Sequence, residues 1–505
     1  MAQPPLILGI DQSTQGTKAL LLDEHGQLIA KASRPHAQII NDLGYVEHDL
    51  DEIYRNVCAV VADVVAQDPS YAARICAVGL SVQRETVAAW DKASGAPLYH
   101  AIVWQCGRGA PIVARPEVKA RSEYIRKVTG LELSEFFSAP KATWLLENVP
   151  EVKAAQQSGT LCLGTMESYL IYRLTQGHTW AAEPSNASRT MLMDVQRLDW
   201  DDALLALFGL KRSDLAPIVP SNRNFGVTDF AGVLPQPVPI HAALGDSQGA
   251  LFGHGCLQRG QTKTTYGTGS SIMMNIGAEV IACAPGVVNS VGWQLEGQAP
   301  TYVLEGNINY SAGIISYLKD DLGLITSPAE TEALARAANP KDECYFVPAL
   351  SGLGAPHFNS KARGTIVGMS RLTTKKELVR AALDSIAYQV SDVVALMRTN
   401  MQNATGLDMS ELHVDGGATG NGYLMQLQAD LCQLPLVVPQ DAELSGMGVA
   451  LMAGIAVGVY DPAVLTAGAT KCRYEPSMDD ATRTLKLTGW HQAVATAIAH
   501  GARTS

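Results

Sequence analysis

Four short stretches carry residues that could hold or move a phosphoryl group. Residues 242–253 read AALGDSQGALFG, where one carboxylate, Asp246, ends an apolar run on a turn of small residues. The neighbouring residues include no Lys or Arg and show no metal-ligand spacing. A carboxylate so placed suits a general base that takes a proton from a hydroxyl; on local grounds alone it equally reads as a helix N-cap. Three further turns suit phosphate oxygens: Asp11-Gln12-Ser13-Thr14-Gln15-Gly16-Thr17-Lys18, Tyr266-Gly267-Thr268-Gly269-Ser270-Ser271 and Asp415-Gly416-Gly417-Ala418-Thr419-Gly420-Asn421. Exposed backbone amides, hydroxyls and a lysine bind anionic oxygen, and small residues let a ligand approach the backbone. Asp11, at a strand end, could hold magnesium directly or through water. None of the three has the spacing GxxxxGK[ST] or GxGxxG, and any one alone reads equally as a turn that binds nothing. Finally, SVQRETV sets Gln83, Arg84 and Glu85 directly after an apolar run. This is either a surface ion pair or a group of donors and acceptors at a strand's C-terminal end, suited to vicinal hydroxyls.

The elements that must carry these residues repeat. LILGID, the turn QSTQGT, KALLLD, the turn EHG and QLIAKA read as a β-meander. DLDEIYRNVCAVVADVV follows as a helix capped by Asp49, and ICAVGLSVQ as a buried strand. Near residue 260 the pattern restarts with TKTTYGTGSSIMMNIG, again strand, small-residue turn and strand. PAETEALARAA, KKELVRAALDSIAYQVSDVVALM, a segment from Asn421 and GMGVALMAGIAVGV read as helices; CYFVPAL, ELHVDGG and PLVVP read as strands. The pattern predicts a duplicated α/β domain, with residues 1–254 and 255–505 as the two halves around a cleft and residues 115–229 inserted in the first. The phosphate-suited turns then recur at equivalent places, so two of them could grip a polyphosphate from both sides.

The totals set limits on this picture. A chain of 505 residues is too long for one core, and 47% hydrophobic with 17% charged residues is ordinary for an α/β protein. A net charge of −11 without a basic patch argues against nucleic acid and anionic membrane as partners. Nine scattered cysteines without a CxxC pair predict reduced thiols and a cytoplasmic location. The eleven histidines show no zinc spacing. No leader pattern or bilayer-length apolar run is present.

Taken in order, GIDQSTQGTKALL, SVQRETVAAW, AIVWQCGRG, NASRTMLMDVQRLDWDD, GDSQGALFG, TYGTGSS, VPALSGLGAPHF and VDGGATGNGYLMQLQADL resemble the FGGY carbohydrate kinases, and among them the glycerol kinases. Gly364 to Asp384 follows the family's C-terminal signature spacing; the earlier signature, around Phe136 to Asn148, departs at Ala142, where a large apolar residue is usual. The resemblance implies two actin-like (ribonuclease-H-like) domains flanking a central cleft, and ATP-dependent phosphorylation of a terminal hydroxyl of a small polyol or sugar. By the same resemblance Asp246 is the catalytic base, and Arg84, Glu85, Phe136, Asp246 and Ser247 meet substrate. Asp11 lies near Mg2+. Thr14, Gln15, Gly16 and Lys18 form the first phosphate loop and Thr268 and Gly269 the second. Gly417, Ala418 and Asn421 form the adenosine turn. Oligomeric state stays open.

Phe136, Ser247 and Ser271 stand where glycerol kinases usually carry Tyr, Gln and Phe, and WQCGRG lacks a second Arg. Loss of a hydroxyl and of side-chain volume around so small a substrate suggests a longer polyol or ketose of about four or five carbons as the alternative. A non-catalytic actin-like nucleotide binder is a third reading; it predicts loss of Asp246 or Asp11, and both are present.

Overall fold

The computed structural model describes residues 3–462 and 470–503. Its first half is built on β1 (Leu6–Gln12), β2 (Gly16–Leu22), β3 (Leu28–Pro35), α1 (Leu50–Val65), β4 (Ile75–Val82), β5 (Val227–Thr228) and β6 (Val238–Gly245). These strands form one sheet in the order β5-β6-β4-β1-β2-β3. The meander β1–β3 is antiparallel, whereas β4 runs parallel to β1 and β6. Every residue of β1 is buried, as the unbroken apolar run of a central strand requires. The Asp49 side chain accepts the N–H groups of Asp51 and Glu52, starting α1 where its sequence predicts. Leu50, Ile53, Val57, Val60, Val61 and Val64 then form the single buried stripe that a 3.6-residue period allows.

The second half begins after α2 (Asp246–Gly253). It comprises β7 (Thr262–Tyr266), β8 (Ser270–Gly277), β9 (Val288–Trp293), β10 (Thr301–Ile308), α3 (Lys375–Thr405), β11 (Leu412–Gly416), α4 (Gly422–Cys432), β12 (Leu436–Pro439), α5 (Leu444–Ala456) and β13 (Thr470–Tyr474). Its sheet has the order β9-β10-β8-β7-β11-β12-β13, in which β7 and β8 repeat the hairpin of β1 and β2. The 31-residue α3 starts in a reciprocal cap: Thr374 accepts from Lys376 N–H while Glu377 accepts from Thr374 N–H.

One element crosses between the halves. Helix α5 lies in sequence between β12 and β13 of the second sheet but packs against α2 and against β1, β4 and β6 of the first. Glycine makes this possible. A Cβ on Gly448 would lie 1.9 Å from Gly249 O, and one on Gly253 would lie 2.4 Å from Leu444 O, so only hydrogen fits between the helices. The residues Asp11, Arg84, Asp246, Gly267 and Ser445 therefore line one cleft where β1, β4, β6 and β7 end. No helix among the described residues is long and apolar enough to cross a membrane.

Candidate active site

The cleft has a volume of about 500 Å³. It brings together Asp11, Thr14, Gln15, Arg84, Glu85, Phe136, Asp246, Ser247, Thr268 and Gly269 of the residues singled out in the sequence. Gly16, Lys18, Gly417, Ala418 and Asn421 are not part of its lining.

Asp246 is the first residue of α2, and Gly245 before it is extended. The carboxylate does not cap the helix as an N-cap residue would; its Oδ1 accepts from the N–H of the next residue, Ser247, at 2.6 Å. Nor is it without a cationic neighbour, as its local sequence implies. Arg84 Nε lies 3.4 Å from Asp246 Oδ1, carried there from the end of β4. Gly245 lets the arginine pass: a Cβ there would meet Arg84 Cδ at 2.5 Å. The Asp246 side chain keeps a third of its surface exposed to the cleft.

Arg84 and Glu85 are not a surface pair. Both are buried, and each is held by a residue distant in sequence. Arg84 Nη1 and Nη2 donate to the two oxygens of Glu305, each at 2.8 Å. Arg189 Nε donates to Glu85 Oε1 at 2.6 Å, and Arg189 Nη1 lies 3.1 Å from Glu305 Oε2. Burial alone would raise the Glu305 pKa, but the charges of Arg189 and Arg84 outweigh it and hold the carboxyl down at about 2. Burial likewise works against the Arg84 charge, yet Glu305, Glu85 and Asp246 keep that guanidinium firmly protonated. Two arginines and two glutamates thus form an interlocked, buried quartet, from which Arg84 Nε faces Asp246 and Glu85 lines the cleft.

The two hairpin turns face the same space. Asp11 sits opposite Ser81 on β4, and Ser81 Oγ donates to its Oδ1 at 2.9 Å. Burial pushes the Asp11 carboxyl up to about 6 against the pull of Lys18 and Ser81. Trp104 Nε1 donates to Thr14 Oγ1 at 2.8 Å, and His36 Nε2 reaches Thr14 O at 2.9 Å, so side chains stiffen the first turn. Lys18 points elsewhere: its Nζ pairs with Glu443 Oε2 at 2.5 Å. In the second turn the backbone does this work. Ser311 N–H and Gly313 N–H both donate to Thr268 O. Asn421 accepts from Leu424 N–H as the N-cap of α4 and donates to Thr331 Oγ1 at 3.1 Å.

At the Asp246 end the wall is Phe136, stacked edgewise on Trp104 with ring centres 5.4 Å apart. The turn carrying Phe136 is gripped from behind by the fully buried Lys141, whose Nζ donates to Glu135 O, Phe136 O and Phe137 O. Opposite it, Ser271 Oγ donates to Ser247 Oγ at 3.2 Å. Sequence reading passed over Trp104, Gln105, Thr265, Asn307 and Asn309 as lining residues, and Arg189 and Glu305 behind them. Trp104 and Arg189 stand in stretches that carry the family resemblance, which is the only sequence signal for either. Glu305, Asn307 and Asn309 stand in LEGNINYSAG, residues 304–313, which also resembles the family but gives none of them a role of its own.

A cleft between two duplicated α/β domains, with glycine-turn hairpins on both walls and a carboxylate at one end, defines a phosphotransferase of the two-domain carbohydrate kinase class. The comparisons with known proteins make this specific. Residues 6–253 match the N-terminal domain, and residues 262–457 the C-terminal domain, of the FGGY family of carbohydrate kinases. The chain belongs to that family and is an ATP-dependent sugar or polyol kinase. It is 39% identical to the glycerol kinase of Agathobacter rectalis over 496 residues, 97% of this chain and 98% of that one. It is 42% identical to the glycerol kinase of Haloarcula marismortui over 464 residues, 90% of each chain. The crystal structure of Plasmodium falciparum glycerol kinase with ADP superposes with a TM-score of 0.90 at 33% identity, covering 98% of both chains. Ligand-bound xylulose kinase from Lactobacillus acidophilus, at 20% identity and a TM-score of 0.87 over 99% of this chain and all of the other, shares the fold.

Proposed function

We propose that the enzyme transfers the γ-phosphoryl group of ATP to a terminal hydroxyl of a small polyol or sugar, as a glycerol-kinase-like enzyme with Asp246 as general base. The observation that carries this reading is the position of Asp246: partly open to the cleft, beside Arg84, and facing the same space as both hairpin turns. Phosphoryl transfer asks for positioning and charge neutralisation, with a base only for the proton of the attacking hydroxyl. Asp246 takes that proton. Arg84, Glu85, Phe136 and Ser247 meet the substrate carbon chain and its hydroxyls. Thr14, Gln15 and Gly16 on one wall and Thr268 and Gly269 on the other hold phosphate oxygens. Lys18, paired with Glu443 behind the first turn, would reach phosphate only by leaving that partner. Gly417, Ala418 and Asn421 form the surface on which adenosine rests.

The donor set also suits Mg2+. Among the described residues no three His, Cys, Asp or Glu side chains gather into a protein-only metal cage. Magnesium is commonly bound through one or two carboxylates together with water and substrate phosphates. Asp11, a carboxylate whose burial disfavours its charge and whose Oδ1 alone accepts from Ser81, is the residue that would hold it. Bound there, the ion would neutralise charge on the phosphates. Exclusion of water from the closed cleft would let the hydroxyl, rather than water, attack.

A second reading, a longer polyol or a ketose as the acceptor, is favoured by the contact between Ser247 and Ser271. Two small side chains satisfy each other beside the base and leave the volume in front of them open. ADP release over glycerol, tetritols, pentitols and ketopentoses separates the two readings: strong turnover confined to glycerol removes the second. For the base, D246N is expected to lower kcat by about 10²–10⁴-fold while ATP binding, measured by calorimetry, stays close to wild type. Normal turnover by D246N would remove Asp246 from that role.

A further inference from the structure

The stretch Glu183–Arg189, EPSNASR, lies in the region that the sequence marks as an insertion, and none of its residues lines the cleft. Yet it reaches Asp246 from two directions. The first runs through the backbone. Glu183 is fully buried, and its carboxylate accepts from Ser185 Oγ and Ser221 Oγ, each at 2.5 Å, from the N–H groups of Ser185 and Asn186, and from Asn186 Nδ2. A serine hydroxyl has one proton, and with it committed to Glu183 the Ser185 oxygen is left as an acceptor. It accepts the N–H of Gly245 at 2.9 Å, the peptide immediately before Asp246.

The second direction runs through side chains. Arg189 bridges Glu85 and Glu305, Glu305 holds both terminal nitrogens of Arg84, and Arg84 Nε stands 3.4 Å from Asp246. Without Arg189, two buried carboxylates would compete for the one guanidinium of Arg84. Buried ion pairs are poor sources of stability, because the cost of removing two charges from water can exceed their attraction. Four such charges behind a catalytic carboxylate are better explained by the geometry they impose. Ser188 adds to this by tying the same stretch to the other domain: its Oγ meets Ser290 Oγ at 2.9 Å and accepts from Val291 N–H, while Val291 O accepts from Gln248 on the helix of the base.

We propose that Glu183–Arg189 positions the general base: Ser185, aimed by Glu183, fixes the backbone before Asp246, and Arg189 holds Arg84 where it orients the Asp246 carboxylate without binding it closely. This rests on the assignment of Asp246 as the base. These are positioning residues, and a small displacement at a reacting atom costs roughly 10²-fold in rate.

The test uses S185A, R189M and R189K in the full chain, assayed with the best acceptor from the substrate panel. The expected result is a kcat lowered roughly tenfold in S185A and roughly 10²-fold in R189M, partly restored in R189K, with KM for ATP within about twofold of wild type. Combined with D246N, neither S185A nor R189M should lower the residual rate further, because their effect passes through the missing carboxylate. Wild-type kcat in S185A and R189M, or effects that multiply with D246N, would overturn the inference. S185A removes a single hydroxyl and carries the test if R189M does not fold. A crystal structure of S185A separates failure of this inference from failure of the base assignment. A displaced or doubled Asp246 carboxylate supports positioning whatever D246N does; a single carboxylate at its original place refutes it.

Discussion

At one end of the cleft Asp246 sits against interlocked charges, with Arg84, Glu85, Arg189 and Glu305 all buried and each bound to a partner more than a hundred residues away or held by one that is. At the other end the two hairpin turns present glycine, threonine and serine; Trp104 and His36 hold the first, and the second is held mainly by backbone, Gly267 N–H to Gly269 O and the N–H groups of residues 311–313 to residues 267 and 268, with Ser270 Oγ donating to Ser311 Oγ. On the proposed assignment, in which the Asp246 end takes the acceptor and the hairpin turns take phosphate, the difference follows what each end recognises. Hydroxyls on a small carbon chain require donors and acceptors fixed at set positions, which buried, mutually bound side chains provide. Phosphate oxygens are met by any well-aimed amide, so close backbone approach matters more there than side-chain identity. Substitution at the first end should therefore act through charge, and at the second through size.

The largest expected effect tests the charged end. E305Q keeps the shape of the side chain but leaves Arg84 with Asp246, and Arg189 with Glu85, as their remaining close carboxylate partners. Removing one member of a buried ionic cluster costs about 3–5 kcal/mol, to be read from urea unfolding. A loss below about 1 kcal/mol would show that the quartet is better hydrated than its burial implies.

Next comes a pH effect from the same region. Burial, opposed only in part by Thr165 and reinforced by Glu183, pushes the Glu167 carboxyl up to about 8, so the folded protein keeps a proton that the unfolded chain releases above its ordinary value of 4.5. Stability from this group is fully present below pH 4.5 and is lost as pH rises towards 8, at up to about 1.4 kcal/mol per pH unit. E167Q should flatten that fall in a series of melting temperatures from pH 5 to 8. An unchanged slope would mean that Glu167 is ionised throughout.

The third effect tests the backbone-built end. In G269A the new Cβ would lie 2.4 Å from Ile308 O, a main-chain atom that cannot swing aside. Overpacking of this kind costs about 1–3 kcal/mol. We expect it as a raised KM for ATP, with the preference among acceptors unchanged. A change in acceptor preference instead would break the division between the two ends.

The sequence carried the turns better than their partners. Asp11, Thr14, Gln15, Asp246, Thr268 and Gly269 converge on one cleft because each is marked by its own neighbours: a strand end, a glycine, a following helix. The helices at Asp49 and Asn421 were legible for the same reason, since a cap is a local event. What lay out of reach was long-range. Arg84 precedes its Glu305 partner by 221 residues, and the isolation of Asp246 in its own stretch gave no hint of an arginine arriving from β4. Lys18 is 425 residues from the Glu443 that holds it, on a segment that packs across both halves of the chain. Helix α5 reads locally as one more helix of the second half; only the paired glycines, Gly448 against Gly249 and Gly253 against Leu444, show where it belongs.

The smallest expected effect sharpens the comparison at the point where the two ends meet. Ser271 stands on β8 just after the second hairpin turn, yet its hydroxyl bonds to Ser247, the residue after Asp246. It therefore belongs to both ends, and a larger side chain there should change acceptor choice without disturbing nucleotide. In S271F the aromatic ring would occupy the volume in front of Ser247 and shorten the space available to the acceptor's carbon chain. Steric discrimination in a pocket of this kind is worth about 1–3 kcal/mol, or 10–200-fold. The expected result is a fall of about tenfold in kcat/KM for four- and five-carbon acceptors relative to glycerol, with KM for ATP unchanged. An equal fall for all acceptors would mean that Ser271 serves the phosphate turn alone, and that the open volume beside Ser247 does not select substrate length.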